Sequence, residues 1–344
     1  MRLFRKLLLP FVPIYYLITW MRNWMYDIGI LKSTHFDVPT IVVGNLNVGG
    51  TGKSPMVEYV VRLLKNNAQL AILSRGYKRE THGFILATEN DSAKTLGDEP
   101  FQFYNKFSEV LVAVDADRVN GISRLLKGEI KPEVVVLDDA YQHRKVHGGF
   151  NILLTAYGNL YSNDILLPTG DLREPRSGAK RADIIVVTKC PQGLSKNKRE
   201  EIIKSLHVNP NQQLVFSAII YSNKVTNALD EEFSLFELGQ KEVVLITGIA
   251  NPKPLVEFLK EQKITIKQHL NYPDHHHFSE TEISSLKELN KEYVLLTTEK
   301  DFVRLKNEIA SLFYLEIKTE FLGRDAKIFD DSLKKYVEST KKRP

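Results

Sequence analysis

A single cysteine, Cys190, is all that the 344 residues contain. This excludes an intrachain disulfide framework and fits a reducing compartment. Tryptophan is almost as scarce, and both copies, Trp20 and Trp24, lie close together near the start. No apolar run reaches the roughly 20 residues that a bilayer span requires. No segment is of low complexity, and no repeat of fixed period is present. Charge of one sign is not concentrated as in a nucleic-acid-binding arm. The net charge is only +5, and the one dense basic run, Lys341-Lys342-Arg343, reads as a solvated tail. What remains is a chain with 43% hydrophobic and 26% charged residues. That is the composition of a folded globular protein, long enough for one large domain or two of ordinary size.

The N-terminus departs from this ordinary balance. After Arg2, Arg5 and Lys6 no charge occurs from Leu7 to Met21, and Tyr15, Tyr16, Trp20, Trp24 and Tyr26 cluster in the same region. A basic start before an apolar run is shared with signal peptides, but no small-residue cleavage site follows. Aromatic rings beside cations suit a segment lying in a membrane interface. The alternative is an apolar helix packed on the protein's own core. The expectation is a membrane-associated hydrophobic helix within residues 1–38.

Beyond residue 38, apolar β-rich runs alternate with helix-compatible stretches. Thr40–Val43, Leu70–Leu73, Val110–Ala113, Val134–Leu137, Ile152–Leu154 and Ile184–Thr188 read as strands buried on both faces of a parallel sheet. Met56–Lys65 and Arg118–Leu126 read as helices between them. This order predicts a doubly wound, mostly parallel α/β fold over residues 39–222. The polar stretch Ser222–Phe233 marks the expected start of a smaller α/β domain, residues 223–344. Its predicted elements are strands at Val243–Thr247, Ile264–Leu270 and Tyr293–Thr297, with helices from Pro254, at Glu280–Leu289 and from Lys300.

Immediately after the first strand, Asn47-Val48-Gly49-Gly50-Thr51-Gly52-Lys53-Ser54 has the layout of a phosphate-binding P-loop, with Asn47 where the first Gly is usual. Glycines there let backbone N–H groups face anionic oxygens. Lys53 reaches terminal phosphates, and the Ser54 hydroxyl suits Mg²⁺. Asp138 and Asp139 close the apolar strand at Val134, where a Walker B acid helps to hold the metal shell. Gly97-Asp98-Glu99-Pro100 offers two adjacent carboxylates, read either as a base and a metal ligand or as an acidic helix start. Asp274-His275-His276-His277 does not suit zinc, because consecutive side chains do not converge on one ion. A histidine oriented by a carboxylate, or a solvated loop, fits it better. Arg75, Arg118 and Arg173, with Glu174 beside the last, offer planar forks for phosphate or anionic substrate. Thr188-Lys189-Cys190-Pro191 partly matches the guanine-reading signature, but Pro191 replaces its selective Asp, which favours ATP over GTP. These residues alone leave open a kinase for another lipid or polyprenol alcohol, or a P-loop switch ATPase.

Taken in order, these segments resemble the tetraacyldisaccharide 4'-kinase family, the lipid A kinases of Gram-negative bacteria. The matching stretches are 43–55, Leu73-Ser74-Arg75-Gly76-Tyr77, Gly97-Asp98-Glu99-Pro100 and Leu137 to Arg144. Leu172-Arg173-Glu174-Pro175, Asp274-His275-His276 and Thr298-Glu299-Lys300-Asp301 complete the set, along with the hydrophobic N-terminal segment. The pattern departs at Ser54, where Thr is commoner, and at Lys78, where Gly is common. The resemblance implies transfer of the ATP γ-phosphate to the 4'-hydroxyl of a tetraacyl disaccharide 1-phosphate, giving lipid IVA. It implies Asp98 as general base and His275 as the group that tunes it, with Lys53 on the β/γ phosphates. Ser54, Glu99 and Asp138 would bind Mg²⁺, with the division between Asp138 and Asp139 left open. Arg75, Arg118, Arg173 and Glu174 would shape the substrate pocket. ATP, the lipid and the cytoplasmic face of the inner membrane are the implied partners, with neither nucleic acid nor an obligate protein partner.

Overall fold

A computed structural model describes residues 5–229 and 231–341; Arg2, Lys342 and Arg343 lie outside them. Six parallel strands form the first part of the sheet: β1 (Thr40–Asn45), β2 (Leu70–Ser74), β4 (Leu111–Val114), β5 (Val134–Asp138), β6 (Phe150–Ala156) and β7 (Ile184–Thr188). All positions of β1, β2, β5 and β7 are buried. This is why they are written as unbroken Val/Ile/Leu runs. Short β3 (Ile85–Leu86) adds an antiparallel edge to β4.

The second part comprises β10 (Glu242–Thr247), β11 (Thr265–Asn271), β12 (Val294–Thr298) and β13 (Phe313–Phe321). Each apolar run expected there is a strand or helix within a few residues. The polar stretch at 222–233, expected to mark the start of the smaller domain, is itself partly strand. The 14-residue strand β8 (Gln213–Thr226) runs through Ser222, and β9 (Glu232–Ser234) pairs back onto it. From Gln213 to Phe216, β8 lies parallel to β7; from Ser217 to Thr226 it lies antiparallel to β13. One continuous sheet therefore crosses the whole molecule, in the order β11-β10-β12-β13-β8-β7-β6-β1-β5-β2-β4-β3. The stretch looks polar because its middle is half-exposed, with Asn223 and Lys224 facing solvent.

The helices cover both faces. α1 spans Val12–Asp27, α2 Lys53–Leu64, α3 Asp98–Lys106 and α4 Arg118–Leu125. They are followed by α5 (Lys196–Leu206), α6 (Lys253–Glu261), α7 (Glu280–Leu289), α8 (Glu299–Leu305) and α9 (Asp325–Lys341). α2 begins three residues before the expected Met56. Gly52 at its N-cap adopts φ 85°, which frees the loop to turn there, and Pro55 falls in the first turn, where no N–H is required. Met56, Val57, Val60, Val61 and Leu64 form its buried face at helical spacing.

Helix α9, although last in sequence, returns to the first part. Phe329, Leu333 and Val337 are buried with Ile41, Val43 and Met56. The Asp325 carboxylate at its start accepts the Phe216 N–H at 2.7 Å, where β8 passes from one neighbour to the other. Helix α1, by contrast, buries no residue fully. Val12 and Tyr15 rest on the core, while Ile14, Leu17, Ile18, Trp20, Met21 and Trp24 are exposed. No helix among the described residues is long and apolar enough to cross a membrane.

Phe329→Ala should lower unfolding free energy by about 3–5 kcal/mol, the usual cost of emptying a large aromatic site. Urea denaturation followed by far-UV circular dichroism measures it; a change below 1 kcal/mol would show that α9 does not help to hold the first core.

Candidate functional site

The turn between β1 and α2 is held from behind by groups far away in sequence. Asn47 is buried, and its amide Nδ2 donates to Asp164 Oδ2 at 2.8 Å. Val48 N–H donates to Asp171 O at 2.7 Å. Asn45 Nδ2 donates to Thr51 Oγ1 at 2.8 Å. Thr188 Oγ1 and Lys189 Nζ donate to the carbonyls of Thr51 and Gly50, at 2.7 and 2.6 Å. Gly49, at φ 111°, takes a conformation that a side chain would strain. Val48 and Thr51 spend their N–H groups on Asp171 O and Gly49 O. The N–H groups of Gly49, Gly50 and Gly52 are left for an anion, and Lys53 opens α2 at its positive end. Thr188 and Lys189, read from sequence only for base selectivity, are thus buttresses of the loop.

Strand β5 ends beside it. The two carboxylates there are sorted by the backbone. Asp138 is the last strand residue and is buried. Its Oδ2 accepts from Ser74 Oγ at 2.9 Å, and its Oδ1 has no partner. Burial and the nearby charges of Glu99 and Asp139 push its pKa up to about 7, against the pull of Lys53. Asp139 adopts φ 45° and turns the other way. Its Oδ1 lies 3.7 Å from Lys53 Nζ and 3.0 Å from Arg173 NH1. Burial raises its pKa, but these two cations outweigh burial and hold it below the ordinary value. Ser54 Oγ donates to Glu99 Oε1 at 3.2 Å, which joins the loop to the start of α3.

Arg118 is buried and donates to the carbonyls of Asp115 and Ala116, at 3.0 and 3.3 Å, and of Asp138 at 3.3 Å. Its Nε keeps no partner. Burial lowers its pKa to about 10, with Arg75 nearby adding to the shift. Arg75 itself is exposed after β2. Glu174, expected at the substrate, is enclosed instead. Its carboxylate accepts from Gln142 Nε2, Arg181 NH2 and Asn23 Nδ2 at 2.9, 2.8 and 2.7 Å. With both oxygens engaged, it tethers α1 behind Arg173.

The second part of the chain supplies the facing wall. Asp98 opens α3, and His275 Nδ1 lies 2.7 Å from its Oδ2. Arg304 on α8 donates through Nε to Oδ1 at 2.9 Å and through NH2 to Oδ2. Burial would raise the Asp98 pKa, but the hydrogen bonds and charges of His275 and Arg304 hold it well below the carboxylate range. Lys300 Nζ sits 3.2 Å from His275 Nε2. An ammonium only donates, so in the neutral ring Nε2 accepts and Nδ1–H faces Asp98. His275 takes φ 62°, a sparsely populated conformation for a non-glycine residue. Fully buried Asp301 accepts from Gly248 N–H at 2.8 Å and from Arg304 NH1 at 3.0 Å, which aims the guanidinium. The three histidines diverge. His276 contacts Glu282 at 3.1 Å and stacks on Tyr272, and His277 is exposed.

Arg304 carries no sequence signal of its own, since it lies in the helical run Phe302-Val303-Arg304-Leu305. Lys300 had one: it stands in a polar cluster at the carboxyl end of β12, one helical turn before Arg304.

With this geometry in view, comparison with known proteins is informative. A family model described as tetraacyldisaccharide-1-P 4'-kinase, LpxK, matches residues 4–338. The tetraacyldisaccharide 4'-kinase of Flavobacterium johnsoniae is 52% identical over 339 residues, covering 98% of each chain. That of Bacteroides thetaiotaomicron is 43% identical, covering 96% of this chain and 93% of its own. A crystal structure of LpxK from Aquifex aeolicus, described as an "apo" form in complex with ATP, superposes with a TM-score of 0.79 at 31% identity. The match covers 98% of this chain and 99% of that one. The parallel sheet with its P-loop, the two-part site and the near full-length matches lead to one assignment: this chain belongs to the tetraacyldisaccharide 4'-kinase family.

Proposed function

We propose that this protein transfers the γ-phosphate of ATP to the 4'-hydroxyl of a tetraacyl disaccharide 1-phosphate, giving lipid IVA and ADP at the cytoplasmic surface of the inner membrane. The observation that carries the reading is Asp98 beside Glu99, which bonds to the P-loop Ser54, with the Asp98 carboxylate held from the other half of the chain by His275 and Arg304.

The backbone N–H groups of Gly49, Gly50, Gly52, Lys53 and Ser54 cradle the triphosphate, and the Lys53 ammonium neutralises its β and γ oxygens. Lys53 leaves Asp139 to do so, and Arg173 keeps that carboxylate compensated. The donors near the loop fit Mg²⁺. Ser54 Oγ, Glu99 and the unpartnered Asp138 Oδ1 are all hard oxygens. The raised pKa of Asp138 comes first from its burial and then from the charges of Glu99 and Asp139, against which Lys53 is the opposing cation. Bound there, Mg²⁺ supplies charge neutralisation for the transferring phosphoryl group. Asp98 remains ionised through neutral and mildly acidic pH. It accepts the proton of the 4'-hydroxyl, while His275 Nδ1–H and Arg304 fix the direction of its lone pairs. Arg75 and Arg118, two neighbouring cations of which one retains a free N–H, suit an anionic group of the glycolipid, and Arg173 borders the same region.

The exposed face of α1 gives the lipid's acyl chains a place to remain in the bilayer. Trp20 and Trp24 stack with ring centroids 6.2 Å apart, and aromatic rings favour headgroup depth. Tyr15 Oη and Asn23 Nδ2 fasten the opposite face to Arg173 O and Glu174, at 2.8 and 2.7 Å. The membrane face is thereby linked to the site's own loop.

Incubation with labelled ATP, Mg²⁺ and tetraacyl disaccharide 1-phosphate should give a singly more phosphorylated lipid by thin-layer chromatography; label found only in inorganic phosphate would favour a switch ATPase instead. Asp98→Asn should lower kcat by about 10²–10⁴ with ATP-analogue Kd unchanged, and near-normal turnover would remove Asp98 as base. Lys53→Ala should weaken both nucleotide binding and turnover, measured by calorimetry and the same assay. Trp20→Glu with Trp24→Glu should release the protein from anionic vesicles in a flotation assay while turnover on detergent-dispersed lipid persists.

A further inference from the structure

A second ionic cluster lies away from the phosphate loop. Lys106 Nζ sits 2.7 Å from Glu58 Oε2, 2.6 Å from Glu299 Oε1 and 2.6 Å from Glu316 Oε1. All four side chains are largely buried. Each comes from a different element: Glu58 from α2, Lys106 from the last turn of α3, Glu299 from the first residue of α8 and Glu316 from β13. Arg62 closes the outer side, donating to Glu316 at 2.7 Å and Glu58 at 3.1 Å. Gln102 Nε2 donates to Glu58 Oε1 at 3.0 Å. The three glutamates are the one acidic trio among the described residues close enough to share a metal ion. Lys106 already fills their centre, so the trio is a cage for a tethered ammonium.

The placement of this cage matters more than its strength. Helix α3 carries Asp98 at one end and Lys106 at the other; α8 carries Arg304 near one end and Glu299 at the other. The two helices are thus fastened at both ends, Asp98 to Arg304 and Lys106 to Glu299. Through Glu58 the second fastening also grips α2, the helix that begins with Lys53 and Ser54. We propose that Lys106 is a positioning residue for phosphoryl transfer, setting the spacing between the phosphate-gripping helix and the carboxylate that receives the hydroxyl proton.

The proposal rests on the reading of Asp98 as the base. Its physical basis is the cost of unbalanced charge. Three carboxylates converge on one central ammonium, with only Arg62, on Glu316 and Glu58, and Lys318, on Glu316, at the outer side. Burial together with Glu58 pushes the Glu299 pKa up to about 7. Without the ammonium, the carboxylates repel one another and separate, because buried charges that lose their partner are strongly unfavourable. Such a separation moves the C-terminal end of α3 from α2 and α8, and Asp98 moves with it. Displacement of a reacting group by about 1 Å is enough to cost about 10²-fold in rate.

The test uses the full chain. Lys106→Met should lower kcat about 10–100-fold while ATP-analogue Kd and lipid KM stay within about threefold of wild type. Adding Glu299→Gln, which removes one of the stranded charges, should restore part of the loss. In an Asp98→Asn background, Lys106→Met should cause no further loss, since it acts through that carboxylate. An unchanged kcat in Lys106→Met, or losses that multiply in the double variant, would overturn the proposal. If the Met variant does not fold, Lys106→Arg keeps the charge and alters the reach: kcat should fall with Kd preserved, and an unchanged kcat would count against it. Full turnover in Asp98→Asn alone would refute instead the reading of Asp98, which keeps the two failures apart.

Discussion

Carboxylates crowd this molecule's working end, and none is held by chance. Glu99, Asp138 and Asp139 gather around Lys53 and Ser54 of the phosphate loop, with Asp98 next to Glu99 in the chain, and further cations that balance them come from distant stretches of chain. Arg173 steadies Asp139 from a loop beyond β6, and Arg304 with His275 steadies Asp98 from the far part of the sheet. Only Asp138 is left with an oxygen unmatched and a pKa driven upward. Because like charges so close cannot coexist uncompensated, the site's charge balance draws on both halves of the chain. The same principle recurs on a second level, where a lysine gathers three glutamates from three elements.

Much of this was legible in the sequence, and the reasons are local. The strands at 40, 70, 134 and 184 are unbroken β-branched runs because both their faces are covered. The Gly-Gly-Thr-Gly-Lys-Ser turn announces itself because its chemistry is carried by consecutive residues. Asp98, Asp138 and His275 could be singled out because each stands in an ordered set of motifs, the first two at a helix or strand end, and the structure brings His275 onto Asp98. Arg304 was not, because a guanidinium one turn into an unremarked helix acquires meaning only when Asp98 is folded against it. Glu58 is hidden for the same reason, as a charged position on an otherwise apolar amphipathic face. Ser222 lies within β8 although its neighbours are polar, since an antiparallel strand half open to solvent lacks the apolar signature of its parallel neighbours.

The N-terminal helix shows how one element serves two environments. Residues on one side are hydrogen-bonded to the loop carrying Arg173 and Glu174, and the opposite side offers tryptophan, leucine and isoleucine to the outside. Arg144 joins the arrangement, bonding to Asn23 O and Asp27 while its guanidinium lies over Tyr26. The turn after β5, which carries Asp139 and Arg144, and the apolar helix are therefore fastened together, so the exposed apolar face and the phosphate-loop end are mechanically joined.

Strand β8 gives this architecture its last property. It belongs to both parts of the sheet, and α9 recrosses to the first part soon after β13 ends, so the halves are joined by paired backbone at one passage and by a docked helix at another. Any relative movement of the halves would therefore have to bend paired backbone at β8 and shift the seat of α9 together. The stiffness of that double connection, and no single hinge residue, fixes the register in which Arg304 and His275 meet Asp98.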